Sequence, residues 1–432
     1  MPKAIAKDSD FLSVDLTDWF FNINSGPQMQ RFLYQFLNLT PLQEANDKGN
    51  LKVDEEALTH FAENDSIAFC TMLLAYKKLQ KAKGTYLDDI ERNISFDDWR
   101  LHGEFWLNTT STFRSSSTNP NMQNIPKHGD MINGVSWKTI RKLLSRCDKT
   151  EKDFWLAEVD YDGAEVKVAG MLGGDKQMQE DLNNDLDLHS HWAIELFGLK
   201  GMSYKEVKAK YDDTYRFLAK NNFTFADIFG AIHKSIAAEM RKSEFYKEYV
   251  YAIYNQRQIK NESFDTFFVT FSEEQVERCQ NARKERYPVY TAWQEGIVQK
   301  YYKEGYVENP FGFRRRYPLK RNEIINYPIQ STSFLLLLDS LISVEDETRK
   351  GNWRSKILSQ VHDSAVPKIH KVEFGDYIDM VNQFMVDKPH LPWTKTVKMK
   401  TDWSFGLNWY NMISAKSNRG KACMQILKNK YN

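Results

Sequence analysis

The sequence predicts a mixed α/β chain of the α+β kind, in which a small antiparallel sheet is carried among many helices. Three stretches point there. Phe154-Trp-Leu-Ala-Glu-Val-Asp160 is a short apolar run closing on an acid, as a buried strand does. Lys356-Ile-Leu-Ser-Gln-Val-His-Asp-Ser-Ala-Val-Pro-Lys-Ile369 reads as a hairpin, two apolar runs folded about a polar tip at His362-Asp363. Between them, from about Asp175 to Lys303, a long stretch with few prolines reads as helix.

The remaining elements follow in order. With 432 residues the chain exceeds one compact core, and two or three subdomains are expected. Residues 27–90 read as helices: Met29, Phe32, Leu33 and Phe36 recur at helical spacing, and Asp65 is placed to cap a further helix carrying Ile67, Leu74 and Leu79. Residues 105–130 are polar, Ser/Thr/Asn-rich and closed by proline, the composition of a flexible loop. Strand-and-turn character returns in GYVENPFGFRRRYP at 305–318, and an apolar helix is expected from about Gln330 to Ile342. No internal repeat or low-complexity segment interrupts this order.

Bulk composition excludes little. Net charge is only +1, but the charge is uneven: Lys77, Lys78, Lys81 and Lys83 cluster, Arg314, Arg315 and Arg316 are consecutive, and Lys416, Arg419, Lys421, Lys428 and Lys430 leave the C-terminal stretch without an acid. Such clusters can neutralise phosphates, although each taken singly is more often a solvated face. The four cysteines (Cys70, Cys147, Cys279, Cys423) are scattered, without zinc spacing, which suits a reducing cytoplasm. The N-terminus MPKAIAKDSD lacks a signal-peptide apolar stretch, and the longest strongly apolar run, Phe334–Leu338, is too short to span a bilayer.

What remains is an acid at the end of one strand and another at a hairpin tip 203 residues later. Either alone would be unremarkable. Two carboxylates on adjacent strands are what a two-metal site needs, because Mg²⁺ prefers hard oxygen ligands and keeps positions open for phosphate and water.

The motifs around these acids resemble DNA polymerase family A, with matches from about Phe21 to Trp409. Asp160-Tyr-Asp-Gly-Ala-Glu165 resembles the family's first palm motif, Arg216-x₃-Lys220 with Phe225-x₃-Phe229-Gly230 its fingers motif, and Gln360-Val-His-Asp363 its last palm motif. Arg114 through Asn119-Pro-Asn-Met-Gln-Asn-Ile-Pro126, Asp187-Leu-His189, and Asn326-Tyr-Pro-Ile-Gln330 keep the family order. The resemblance implies a right-hand polymerase fold with an antiparallel-sheet palm, helical fingers and a partial helical thumb. The expected divisions are thumb 1–95, palm 96–175, fingers 176–304 and palm again 305–432.

It further implies dNTP-dependent, template-directed DNA synthesis with two Mg²⁺ ions, Mn²⁺ being an acceptable substitute. Asp160, Asp363 and the carbonyl of Tyr161 are the implied ligands, and Glu165 the residue that excludes a 2′-OH. His189, Arg216 and Lys220 are implied at the triphosphate, Phe225 and Phe229 at the bases. Arg114, Asn121, Gln123, Asn124, Asn326, Gln330 and His362 are implied at the primer–template, where amides and guanidinium suit the degenerate minor groove.

Departures are specific. Arg216 and Phe225 are nine residues apart where the family has eight, and an extra residue turns a regular helix by about 100°. The expectation is that Asn221-Asn222 absorbs it in a π-bulge. Ser364 replaces a glutamate, Phe113 a glycine, Lys167 an arginine, and Asp162-Gly163 a Ser-Gln pair. The resemblance begins inside the thumb, which predicts no proofreading exonuclease here and a separate exonuclease or thumb polypeptide, or a processivity factor, as partner; the terse motifs resemble phage enzymes. The rival readings are a single-subunit RNA polymerase, which Ser364 favours and Glu165 opposes, and an inactive nucleic-acid-binding subunit.

Overall fold

The structure, a computed structural model, describes residues 21–42, 49, 51–127, 129–132, 134–145, 152–387, 391–415 and 419–431. The N-terminal decapeptide, Cys147 and Lys416 lie outside the described residues. The chain divides into two compact units: one runs through His102 and takes in Ile125–Arg141, and the other is Gly103–Asn124 with Lys142 onward.

The first unit is helical. Helix α1 (Glu55–Glu63) begins where the Asp54 carboxylate accepts from the Ala57 amide at 3.0 Å, with Glu55 and Glu56 in its first turn facing the positive end of the dipole. Helix α2 (Ala68–Lys81) starts after Ile67, and Asp65 does not cap it. The reason is that the Ile67 amide turns back onto the Phe61 carbonyl (3.0 Å) while Ser66 takes a left-handed conformation. Asp65 lies in the bend that follows α1. Met29, Leu33, Leu58, Phe61, Cys70 and Leu73 form the core; Phe36 and Leu79, expected on the same stripes, are exposed.

The second unit is built on one antiparallel sheet. Its strands are β1 (Phe154–Tyr161), β2 (Lys356–Val361), β3 (Ser364–His370), β4 (Thr401–Gly406) and β5 (Ile413–Ala415), in the order β5-β4-β1-β3-β2. The expected hairpin is present as β2–β3, and His362 takes the left-handed conformation (φ 54°) that lets a two-residue turn reverse the chain. β1 runs down the middle, and at its end the Tyr161 hydroxyl bonds Ser340 (3.1 Å) and the Met385 carbonyl (3.0 Å).

The helices that bear on the site are α3 (Ala164–Gly173), α4 (Leu188–Phe197), the segmented rod α5 (Tyr215–Leu218, Ala219–Thr224 and Phe225–Ile228), α6 (Phe264–Arg286), α7 (Pro288–Glu304) and α8 (Arg321–Lys350). Helix α8 is longer than the expected Gln330–Ile342. It starts at Arg321, where Glu323 reaches back to the Lys320 amide at 2.9 Å, and it carries Pro328 inside. A proline in that position reads as a stop, and here the Ser331 hydroxyl donates to the Tyr327 carbonyl of the same turn (2.6 Å). Among the described residues no helix is long and apolar enough to cross a membrane.

The 105–130 segment also departs from expectation. Glu104–Trp106 pairs antiparallel with Ser116–Thr118, Met122–Asn124 forms a short 3₁₀ turn, and Ser117 and Gln123 are buried. Its polar side chains bond inward, which composition does not reveal.

Asp175 ties two helices together. It is buried; one oxygen accepts from the Met178 amide (3.1 Å) and the other from Val289 (2.9 Å) and Tyr290 (3.1 Å) at the start of α7. One side chain therefore serves two helix N-termini. Asp175→Ala should cost about 3 kcal/mol, the sum of a lost cap and buried amides left unpaired. Urea unfolding should show a lower midpoint, and a change under about 0.5 kcal/mol would contradict the double cap.

Candidate active site

Register brings the two acids together. Asp160 on β1 lies opposite Ser364 on β3, so Asp363, one residue earlier, stands at the turn beside it. On the other side Asp160 lies opposite Asp402 on β4. Directly opposed residues share a face, and Asp402 is a third acid there that sequence reasoning missed. No local pattern marks it.

The chain leaves β1 through Asp162 and the left-handed Gly163 (φ 62°), and Glu165 falls in the first turn of α3. Its carboxylate bonds Arg114 and accepts from Gln330. Burial pushes the Glu165 carboxyl above its usual range; Arg114 opposes this, and the nearby charge of Asp363 adds to it. Arg114 also reaches Asp363 at 3.3 Å. Four expected residues, Arg114, Glu165, Gln330 and Asp363, are thus one cluster, with the guanidinium between two carboxylates.

A second network holds the turn. Gln123 is buried and donates to Ser115 (2.7 Å) and to the Gln360 side chain (3.0 Å), and the Gln360 amide donates to the His362 carbonyl. Gln123 thus differs from the expected DNA contact, because its amide is turned into the protein. Asn121 accepts from the amides of Gln123 and Asn124, Asn124 and His362 are exposed, and the Asn326 Oδ1 is buried without a hydrogen-bond partner.

The departures have local reasons. The Ser364 hydroxyl donates to the Val361 carbonyl (2.9 Å), closing the hairpin where a glutamate was expected. Phe113 stands at φ 58°, a conformation natural to glycine and costly for a ring; its packing on Phe313 (centroids 4.7 Å) and Tyr327 offsets that cost. Lys167 is buried 3.5 Å from Asp162; burial lowers its ammonium pKa and Asp162 opposes the shift.

The rod α5 carries the other expected residues. The wide turn Ala219–Thr224 is one turn of π-helix: the Phe225 amide donates five residues back to the Lys220 carbonyl, and the Thr224 hydroxyl donates to the Ala219 carbonyl (2.7 Å). The expected π-bulge is present. Thr224 is buried, and Phe225 stacks with Phe229 (6.2 Å between centroids) and faces His189 (5.6 Å). Lys220 is exposed. Arg216 is held by Asp187 (3.1 Å) and Asp212 (2.6 Å). Sequence reasoning missed both partners, although Asp212 precedes Arg216 by four residues, a legible helical pair.

Asp187 caps α4 through the Ser190 amide (3.1 Å). Burial works against its charge, yet the bonds from Arg216 and Ser190 hold its carboxyl below the usual range. His189 follows in the first turn of α4. Burial, then the charges of Arg216 and Lys220, push its imidazole down to about 4. At neutral pH it is uncharged, so it can offer phosphate a hydrogen bond and no ion pair.

No group of three or more His, Cys, Asp or Glu side chains that could hold a metal occurs among the described residues. Asp160 and Asp363 are a two-carboxylate set. This fits Mg²⁺, which takes one or two carboxylates and completes its shell from substrate phosphate and water.

Comparison with known proteins bears on the family and the fold. The profile of DNA polymerase family A matches residues 12–411. The chain is 25% identical over 410 residues to DNA polymerase I of Lactococcus lactis subsp. lactis, covering 92% of this chain and 40% of that protein. It is 26% identical over 401 residues to the thermostable DNA polymerase I of Thermus filiformis, covering 90% of this chain and 42% of that one. The chain thus spans about two-fifths of the length of these relatives. The solved POL domain of Pol1 from M. smegmatis, in complex with DNA primer-template and dNTP, shares the fold with a TM-score of 0.70 at 22% identity, over 90% of this chain and 61% of that one. Nothing in these likenesses speaks for a separate exonuclease-bearing polypeptide or a processivity factor.

The state of His189 is measurable. Its folded pKa lies below the unfolded value, so the unfolded chain binds the proton first and stability falls as pH drops from about 6.5 towards 4. NMR titration should find a midpoint near 4 for His189. His189→Gln should flatten the stability profile in that window, and a midpoint near 6.5 would contradict the burial.

Proposed function

Because the chain belongs to DNA polymerase family A, we propose that it extends a DNA primer along a DNA template from dNTPs. The observation that carries the reading is the register setting Asp160 beside the Asp363 turn, with Glu165 near enough to feel the charge of Asp363. On this reading 1–95, with the Lys77–Lys83 cluster, serves as thumb, 176–304 as fingers, and 96–175 with 305–432 as palm.

Asp160, Asp363 and the Tyr161 carbonyl would hold two Mg²⁺ ions, which when bound acidify the primer 3′-hydroxyl and stabilise the departing pyrophosphate. The chain's own residues do the rest. Lys220, exposed on α5, meets the triphosphate first. Arg216 joins it by exchanging Asp187 or Asp212 for phosphate, which can likewise accept a guanidinium through two oxygens. His189, neutral, donates one hydrogen bond. Phe225 packs on the incoming nucleotide and Phe229 on the template side.

Glu165 is a wall against a 2′-OH. Its burial makes it effective, since an extra hydroxyl would have to displace a hydrogen-bonded carboxylate. Arg114, Asn121, Asn124, Asn326 and His362 meet the primer–template. Arg114 does so by leaving Asp363, which frees that carboxylate for metal. Gln330 supports Glu165 and Gln123 supports the His362–Asp363 turn, so both act through other residues. The Ser364 hydroxyl, spent on the Val361 carbonyl, offers the RNA polymerase reading no contact of its own.

Primer extension with Mg²⁺ and either dNTPs or rNTPs tests the reading. Asp363→Ala should lower the extension rate by at least about a thousandfold while changing duplex Kd by less than about threefold, since the lost carboxylate serves metal and not phosphate. Glu165→Ala should raise rNTP use relative to dNTP by at least about tenfold. Extension surviving in Asp363→Ala, or an unchanged sugar preference in Glu165→Ala, would refute the corresponding role.

A further inference from the structure

The extra residue in α5 leaves a question of register that the wide turn alone does not answer. A regular helix through Ala219–Thr224 would satisfy every backbone bond and would turn Phe225 and Phe229 by about 100°. The wide turn gives up that regularity, so something downstream must favour it.

Asp227 lies two residues after Phe225, about 200° around the helix, and points away from the ring face. It is 2% exposed and its partner Arg283, on α6, is 4% exposed. Arg283 donates Nε to Oδ2 (2.7 Å) and a terminal nitrogen to Oδ1 (3.2 Å), and Gln280 donates to Oδ1 as well (2.8 Å). Further donors meet the same short segment. Gln294 reaches the Ile228 carbonyl (2.9 Å), Tyr290 the same carbonyl (2.7 Å), and Gln280 the Ala231 carbonyl (2.8 Å). Beyond it Gly230 is left-handed (φ 83°), and a Cβ there would stand 2.3 Å from the Ile325 side chain, so glycine is required where the helix ends.

We infer that the buried Asp227–Arg283 pair is the register lock of the nucleotide helix, holding Phe225 and Phe229 in place and forcing the extra residue into the wide turn. This rests on the polymerase reading above and adds positioning residues to it. The energetics favour the assignment. Rotating the last turn by 100° would leave a charged arginine and a carboxylate buried without each other, which is strongly disfavoured. One π-turn is accommodated locally, with the Thr224 hydroxyl donating to the Ala219 carbonyl (2.7 Å). A buried pair is poor evidence for stability as such, because apolar residues of like volume often do as well. A bidentate pair met by a third donor admits one rotation of the helix, which apolar residues of like volume specify less sharply.

The test uses the full chain in four forms: wild type, Asp227→Val with Arg283→Leu, that double variant with Asn222 deleted, and the deletion alone. Steady-state extension gives KM for dNTP and for primer–template, and crystal structures give the conformation of residues 219–229. The double variant should raise KM for dNTP about tenfold and leave KM for primer–template within about twofold. Its Ala219–Thr224 should relax to regular helix. Deleting Asn222 removes the residue that needs absorbing, and should return KM for dNTP to within about twofold of wild type.

A folded double variant that keeps both the wide turn and the wild-type KM overturns the inference, as does a deletion that fails to rescue. Should the double variant not fold, Asp227→Asn takes its place, with about a threefold rise rescued by the deletion expected and no rise overturning the idea. A wild-type chain that extends no primer would refute the polymerase reading instead, and the structures would still read the register.

Discussion

The pairing of β1 with β3 is the constraint on which the rest depends. Asp160 and Asp363 are 203 residues apart, and only the register that sets Asp160 opposite Ser364 puts them on neighbouring strands at one edge of the turn. Side chains alternate along a strand, so a slip of one residue would send Asp160 to the opposite face. The register is held from behind: Val159, Ala365 and Ile369 are buried, and the Tyr161 hydroxyl anchors the end of β1 to α8. Acidic chemistry at the rim is thus paid for by apolar packing beneath it.

A second theme is the arginine held by carboxylates, in three degrees of burial. Arg283 is enclosed with Asp227, where exchange would strand a charge. Arg216 keeps 14% of its side chain exposed between Asp187 and Asp212. Arg114 keeps 26% exposed between Glu165 and Asp363. The more water an arginine can reach, the more cheaply a phosphate can replace its acid. The same ion pair can therefore be a fixed strut in one place and a displaceable partner in another.

His189 and Glu165 show burial acting on single groups. Both are expected site residues, and desolvation pushes both towards their neutral forms, the histidine down to about 4 and the glutamate upward. His189 is left neutral at physiological pH, whereas Glu165 keeps its ion pair with Arg114. Gln123 is the related case among neutral groups: placed for the minor groove by its motif, it is consumed by Gln360 and Ser115. Its neighbours Asn121 and Asn124 belong to the same turn, and Asn124 faces solvent.

Much of this was legible in the sequence because it is local. The strand ending in Asp160 and the hairpin about His362-Asp363 follow from apolar runs and turn chemistry, which act within about ten residues; the bulge near Asn221-Asn222 was expected only from the resemblance, whose motif is one residue shorter. The helix through Pro328 was not legible because its stretch around the proline is buried against the rest of the fold, and the ordered 104–124 segment was not because its polar side chains bond to partners that local pattern does not name. The same holds for Asp402 opposite Asp160, for Arg114 between two acids, and for Asp227 with Arg283 across 56 positions. Spacing decides what a residue can present. Which partner it meets, and whether water reaches the pair, is decided only when distant segments pack, since desolvation and register are properties of the folded surroundings.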